Sequence, residues 1–411
     1  MTISRRRFMH GGSLLAAAVV GGSALPVRAH AAEPIESERL LDLHAMLRAK
    51  LEIASVELLR SQSQWLVRVR SRDGAEGLAA GSEQFDYLYS IFLRRVAPFF
   101  LGKDAREIET LVDGVYVFQS NYKLAGVPFW VCVGCLEAAV FDLLGKAAEK
   151  PVAQLLGGIK RKSIPVYLSS LRRDTTPEEE VRRLAGRLEE TGARAVKLKI
   201  GGKMSRNRDA SPGRTERLVP LARQTFGDQV AIYVDANGSY DAAKAIEIGR
   251  MLAEHKVAFF EEPCPWEDFE ATKQVADALD LPIAGGEQDT SWEKISWMVR
   301  HRAVDIIQPD VMYCGGFVRA MRIARLAERH ALEITPHAPQ AGLQWATLAQ
   351  FAAAVPNLGR FQEYNAAASP PAWMSPALSI RAGEVEVPTC PGLGVAIDPR
   401  ELERFRPFTE A

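Results

Sequence analysis

The sequence predicts an α/β chain: a (β/α)₈-type TIM barrel, in the modified (β/α)₇β form, behind an N-terminal α+β capping domain. Three observations predict it. From Ile164 onward, short apolar runs (IPVYLS, AVKLKI, AIYVDAN, AFFEEP, PIAGGE, VDIIQPD, LEITPH, RFQEYN) alternate with helical stretches. The runs are continuously apolar, as parallel strands are when both faces are buried. Most of them end in an ionisable residue: Lys197 and Lys199, then Asp235, Glu261, Glu287, Asp310, His337 and Glu363. From Asp235 the steps are 26, 26, 23, 27 and 26 residues. One strand, one helix and two loops fill such a step, so these groups gather at one end of successive parallel strands, where barrels carry their chemistry. A doubly wound open sheet also alternates strand and helix, but it does not direct seven strand ends toward one centre.

In chain order, residues 1–31 read as a twin-arginine signal peptide. SRRRFM, with Arg5 and Arg6, precedes a Gly/Ala-rich apolar stretch too short to span a membrane, and Ala29-His30-Ala31 resembles a cleavage site. A basic start followed by a short helix is the blander alternative. The expected partner is the twin-arginine export machinery and the expected location periplasmic or otherwise extracytoplasmic. Residues 32–160 read as the capping domain: a charged lead-in, then IASVELL, WLVRVRSRDG and AEGLAAG as an antiparallel meander turning at Asp73-Gly74. FDYLYSIFLRRVAPFFL, REIETLVDGVYVF and the long CLEAAVFDLLGKAAEKPVAQLLGG follow as helices. Residues 161–368 form the barrel. Residues 369–411, Pro- and Gly-rich, are expected to pack back on the capping domain and close the mouth.

Composition excludes several classes. With 47% hydrophobic and 25% charged residues the chain has ample core material, and Lys plus Arg equal Asp plus Glu at 51 each. Neither nucleic acid binding nor a stable membrane anchor is indicated. Five cysteines make no full disulfide framework. Cys132-x-x-Cys135 lacks a second pair and reads as two small core residues. The basic patches at GIKRKSIP and near Arg172 read as solvated surface.

A single strand-end acid is commonly a helix cap or a surface ion pair. Asp235, Glu261 and Glu287, on three adjacent strands, would repel one another unless a cation lay between them. An all-oxygen set suits Mg2+, with Mn2+ as a substitute. Lys197 and Lys199 share one strand face between Val196, Leu198 and Ile200, hence the barrel interior. Their mutual repulsion is expected to lower a lysine toward a general base's range. Asp310 would orient His337. A protonated Glu363 would donate a hydrogen bond to a developing oxyanion. Such a set can take the weakly acidic proton α to a carboxylate and stabilise the enediolate.

These motifs (Lys-x-Lys, Asp-x-Asn, Glu-Glu-Pro, Gly-Glu, Asp…His and a final Glu) resemble the enolase superfamily, mandelate racemase subgroup. The resemblance covers nearly the whole chain after residue 31. It implies that Asp235, Glu261 and Glu287 bind magnesium and that Lys199 is one base, tuned by Lys197, which also contacts the substrate carboxylate. His337 with Asp310 would be the opposite base or acid, Glu363 the electrophile and Asn237 a substrate contact. QPDVMYCGG carries no lysine, which separates this chain from muconate cycloisomerases and dipeptide epimerases. Gln288 stands where many relatives have Asn, the RSQSQ hairpin is short for a lid, and HAPQAG assigns no substrate.

The expected function is a magnesium-dependent lyase dehydrating a hydroxy acid or acid sugar. A racemase or epimerase with the same two bases is the alternative, and an exported, non-catalytic binding protein is a third reading from another class. The partner is a small carboxylate, and a homo-oligomer is expected. Which acid is bound stays open.

Overall fold

Residues 39–409 are described by the structure, a computed structural model; the expected export signal lies outside them. After a one-turn helix at Leu43–Met46, β1 (Ile53–Ser61), β2 (Gln64–Ser71) and β3 (Glu76–Ala80) form the expected meander. Arg60 faces Trp65, and Leu66 faces Ala80. The β2–β3 turn has Gly74 at φ 91°, a conformation open chiefly to glycine. Val67, Val69 and Ala79 are fully buried beneath the helical layer. That layer holds α1 (Phe85–Ile91), α2 (Ile108–Val117) and α3 (Val127–Ala147).

α3 is apolar and long enough to span a membrane, but it is a core helix, 89% buried in its most apolar window. Each of its large apolar side chains contributes roughly 1.5–3 kcal/mol through burial. Cys132 and Cys135 pack beside them as small, free, buried thiols, and burial raises Cys132 well above its ordinary value and Cys135 to about 12. The helix is shorter at its C-terminal end than the sequence suggested. It stops at Ala147, Glu149 takes a left-handed φ of 53°, and Pro151 opens a separate turn at Val152–Leu155.

The barrel strands are β4 (Ser163–Ser169), β5 (Ala195–Lys199), β6 (Ala231–Asp235), β7 (Phe259–Glu261), β8 (Ile283–Gly285), β9 (Ile306–Ile307), β10 (Glu333–Ile334) and β11 (Gln362–Asn365). Between them lie α4 (Pro177–Thr191), α5 (Arg214–Phe226), α6 (Ala242–Glu254), α7 (Phe269–Ala278), α8 (Trp292–Arg300), α9 (Phe317–Arg329) and α10 (Leu343–Ala354). The spatial order is β10-β9-β8-β7-β6-β5-β4-β11, all parallel. Bonds from Ile334 N to Asn357 O (3.0 Å) and from Gly359 N to Ile334 O (2.9 Å) close the ring. This is the (β/α)₇β form.

Alternation divides the interior into two storeys. Tyr167, Ala195, Tyr233, Phe259, Ala284 and Phe361 form an apolar plug, with Tyr233 and Phe259 stacked at 3.9 Å. Two residues further along the same faces come Lys197, Asp235, Glu261 and Glu363, fully or almost fully buried. The charged storey therefore has a dry floor.

The tail corrects one expectation. Arg406–Pro407 does pair with β1 of the N-terminal region. Glu384–Glu386, however, pairs antiparallel with Ser163–Pro165, the start of β4. It thus covers the bottom of the barrel, because the unpaired strand groups it satisfies lie there and not at the mouth.

Gly77 on β3 has no room for a side chain: a Cβ there would lie 2.1 Å from Ala139 O and 2.5 Å from Leu143 N, both backbone atoms of α3. Gly77→Ala is expected to lower stability by about 1–3 kcal/mol, read as a lower urea midpoint; an unchanged midpoint would show that β3 and α3 are not in rigid contact.

Candidate active site

Strand register builds the first row of the site. Lys199 pairs with Asp235 and Asp235 with Glu261 across β5, β6 and β7, so three charged side chains share one level. Glu287 stands two residues past β8, Asp310 three past β9 and His337 three past β10. An isolated parallel bridge joins Asp310 and His337. Asn237 follows β6 in a left-handed turn (φ 41°), its N–H donating to Asp235 Oδ1 at 2.7 Å. All nine residues singled out in the sequence reach this end of the barrel.

Lys197 is wholly buried and donates to Glu261 Oε1 and Oε2 (2.8 and 3.0 Å), with Glu363 Oε1 at 2.9 Å. Burial disfavours its charge, but Glu261, Glu363, Tyr167 and Asp235 outweigh burial and hold it well above the ordinary lysine value. The expected lowering by its lysine neighbour is thus reversed at Lys197, because carboxylates surround it more closely than the second ammonium does. Lys199 donates to Asp235 Oδ2 and, at 3.1 Å, to Asn237 Oδ1.

Glu363 also departs from expectation. It accepts from Ser169 Oγ (2.6 Å), from Ala338 N–H (2.8 Å) and from Lys197. Burial pushes its pKa up, but Lys197 and His337 prevail and hold it at about 2, so it is a carboxylate and not a donor. His337 Nδ1 lies 2.9 Å from Asp310 Oδ2, whose other oxygen accepts from Met312 and Tyr313 N–H. Burial lowers the imidazole, yet Glu287, the bond to Asp310 and the charge of Glu363 raise it to about 10, which makes it an acid in this state.

Four further residues join the site. Arg173 donates to Asn237 Oδ1 (2.9 Å) and Gly201 O (3.1 Å), while its neighbour Arg172 stays outside, paired with Asp174. The solvated reading of this patch holds for Arg172 only. Ser169 ends β4, and Gln308 Nε2 donates to Glu261 Oε2 at 3.0 Å. Glu262 should face away from Glu261 by alternation. Its left-handed φ of 41° turns it inward, where Asn237 Nδ2 donates to it at 3.4 Å. Arg173 and Gln308 each adjoin a strand end, a signal that could have found them; nothing in the sequence marks the turn at Glu262.

Can these residues hold a cation? As placed, no three His, Cys, Asp or Glu side chains form a closed cage among the described residues. The carboxylates have turned instead to Lys197, Lys199 and His337. The donor set nonetheless fits. Asp235, Glu261, Glu262, Glu287, Asp310 and Glu363 are all buried against Lys197, Lys199, Arg173 and His337. Glu287 Oε2 and Glu262 Oε1 are buried without a hydrogen-bond donor, although His337 Nε2 lies 3.1 Å from the former. Burial lifts Glu261 to about 8 despite Lys197, and lifts Glu262 well above its ordinary value. Buried carboxylate oxygens lacking donors are what a hard cation satisfies.

Residues 42–157 match the family described as mandelate racemase / muconate lactonizing enzyme, N-terminal domain, and residues 179–401 match the family described as enolase C-terminal domain-like. The chain belongs to the mandelate racemase and muconate lactonizing enzyme family. An arabinonate dehydratase of Saccharolobus solfataricus is 32% identical to this family member over 310 residues, 75% of this chain and 81% of its own length. A D-galactarolactone cycloisomerase of Agrobacterium fabrum is 30% identical over 322 residues, 74% of this chain and 82% of its own. The structure of a mandelate racemase/muconate lactonizing protein from Paracoccus denitrificans, complexed with magnesium, has a TM-score of 0.79 at 26% identity, covering 87% of this chain and 99% of that one. The barrel and α+β cap of this chain are thus those of its family.

Lys197→Met in the metal-free protein should cost about 3–5 kcal/mol at neutral pH, since it strands buried carboxylates. Glu363 is depressed from 4.5 to about 2, so the stability it contributes is fully present above pH 4.5 and disappears as pH falls toward 2. The penalty of the substitution should shrink over that same window in urea titrations. A penalty independent of pH would show that Lys197 acts through packing alone.

Proposed function

We propose that this family member dehydrates a sugar acid: it removes the proton α to the carboxylate and expels the β-hydroxyl as water, leaving an enol that tautomerises to a 2-keto-3-deoxy acid. The observation that carries the reading is the strand order. Lys199 on β5 and His337 after β10 lie on different sides of the ring, with Asp235, Glu261 and Glu287 on the strands between them. A substrate carboxylate held over those acids presents its α carbon to both.

Asp235, Glu261 and Glu287 would hold Mg2+, or Mn2+ in its place, and Asn237 contacts substrate. When bound, the cation supplies electron withdrawal from the substrate carboxylate, which acidifies the α proton. Lys199 takes that proton. Lys197, held cationic by its carboxylates, faces the substrate carboxylate. His337, oriented by Asp310 and protonated, delivers a proton to the leaving hydroxyl. His337 is raised chiefly by the Glu287 charge, and with that charge neutralised it could also serve as a base. Glu363 fixes Lys197 and the backbone at Ala338. The dehydratase relative supports this reading.

A relative of the isomerase class, the cycloisomerase, supports a second outcome at that level: isomerisation, in which the same bases would return a proton to the opposite face of the carbon. Incubation with a sugar-acid library separates the two. A keto acid supports dehydration, whereas conversion to the epimer with deuterium at the α carbon and no keto acid supports isomerisation. Lys199→Ala and His337→Asn should each reduce turnover by about 10²–10⁴-fold; a variant at wild-type rate would remove that residue from the mechanism. Chelation should abolish activity and magnesium restore it, and full activity in EDTA would refute the cation. Export through the twin-arginine route belongs to the same proposal: Arg5→Lys with Arg6→Lys should retain the chain in the cytoplasm, and unchanged export would refute that route.

A further inference from the structure

Helix α3 carries one stripe that the chemistry above does not use: Trp130, Gly134 and Glu137, at i, i+4 and i+7. Each touches the segment that runs from Asp310 into the first turn of α9. The Arg319 guanidinium lies over the Trp130 ring at 3.8 Å and donates to Cys314 O at 2.5 Å. A Cβ on Gly134 would lie 2.4 Å from Met312 O, so the bare glycine is where that carbonyl seats. Glu137 is fully buried, and its two oxygens accept from Phe317 N–H (2.5 Å) and Val318 N–H (2.8 Å).

The last contact is unusual within this barrel. Helices α4, α6, α7 and α8 are capped by their own preceding residues, Thr176, Asp241, Asp268 and Ser291. The N-cap of α9 is Gly316, at φ 108°, and a Cβ there would meet Glu137 Oε2 at 2.0 Å. The capping carboxylate comes from 180 residues upstream instead. A local Ser or Asp would satisfy the same N–H groups. What the distant carboxylate adds is a tie between α3 and this one loop.

The loop is stiff between its ends. Asp310 Oδ1 accepts from Met312 and Tyr313 N–H, Cys314 N–H donates to Asp310 O (2.9 Å), and Gly316 N–H donates to Val311 O (2.8 Å). Asp310 Oδ2 in turn holds His337 Nδ1. We propose that Trp130, Gly134 and Glu137 are positioning residues, through which α3 of the N-terminal region sets the orientation of the Asp310–His337 pair and hence proton transfer on that face of the substrate alone. No element of this chain of contacts reaches Lys199. The proposal rests on the two-base reading for its catalytic consequence, but not for its structural one.

The test therefore has two arms on the full chain. In protein labelled with 15N-histidine, the His337 ring signals, assigned by their loss in His337→Asn, should shift or broaden in Glu137→Gln and in Trp130→Leu. They should stay in place in Gly249→Ala, which strains α6 against Leu279, away from α3. Unchanged His337 signals in both stripe variants, or an equal change in Gly249→Ala, would overturn the proposal without any substrate. Glu137→Gln keeps volume and one acceptor; should it fail to fold, Trp130→Leu carries the same comparison. The second arm measures α-proton exchange in deuterium oxide with magnesium and the epimeric pairs gluconate/mannonate and galactonate/talonate. Exchange from the His337 face should fall about 10–100-fold in the stripe variants, as it does when the partner of a catalytic ligand is lost, with exchange from the Lys199 face within about twofold. An equal loss on both faces would overturn the proposal. Exchange from neither face in the unaltered protein would sink the two-base reading and leave the first arm to decide the structural tie.

Discussion

Six carboxylates buried at one end of a closed parallel barrel (Asp235, Glu261, Glu262, Glu287, Asp310 and Glu363) are the constraint on which the rest of this molecule depends. Buried charge survives only when it is paired or neutralised. The chain meets the requirement with Lys197, Lys199, Arg173 and His337, and still leaves oxygens of Glu262 and Glu287 without donors. Those oxygens are why an all-oxygen cation site fits here, and the surrounding carboxylates are why Lys197 and His337 are held in their charged forms. The apolar floor of Tyr167, Tyr233, Phe259 and Phe361 keeps water from relieving the tension from below.

The surrounding architecture serves that cluster. Parallel strands give it a common level, the seven intervening helices cover the outer face of the sheet, and the Glu384–Glu386 strand closes the far end. The six carboxylates are spread over the ends of β6, β7 and β11 and the loops just beyond β7, β8 and β9, so no single element carries the row. The family's dehydratases and cycloisomerases are compatible with this division: in the proposed reaction the arrangement would fix removal of an α proton, and the fate of the enediolate would depend on the substrate's own β substituent and on the walls around it.

Much of this was legible in the sequence because the βα repeat has a length. Residues spaced by 26 must return to the same end of a parallel sheet, and Lys197, Lys199, Asp235, Glu261, Glu287, Asp310, His337 and Glu363 all did. The parts that could not be read share a cause: they depend on backbone or charge context that spacing does not carry. Glu262 enters the site only through a left-handed residue, and Glu363 is ionised only because Lys197 and His337 face it. The break after Ala147 could have been weighed from Pro151, whereas the pairing of the tail with the start of β4 is a long-range contact with no local signature.

In the proposed reaction one α carbon would lie between Lys199 and His337, above a cation held by Asp235, Glu261 and Glu287. A crystal structure of the full chain with magnesium and a sugar acid from the active pool tests it most directly. The cation is expected among those three carboxylates, with Lys199 Nζ and His337 Nε2 on opposite faces of the α carbon, each within about 3–3.5 Å. A cation bound elsewhere, or both groups on the same face, would contradict it.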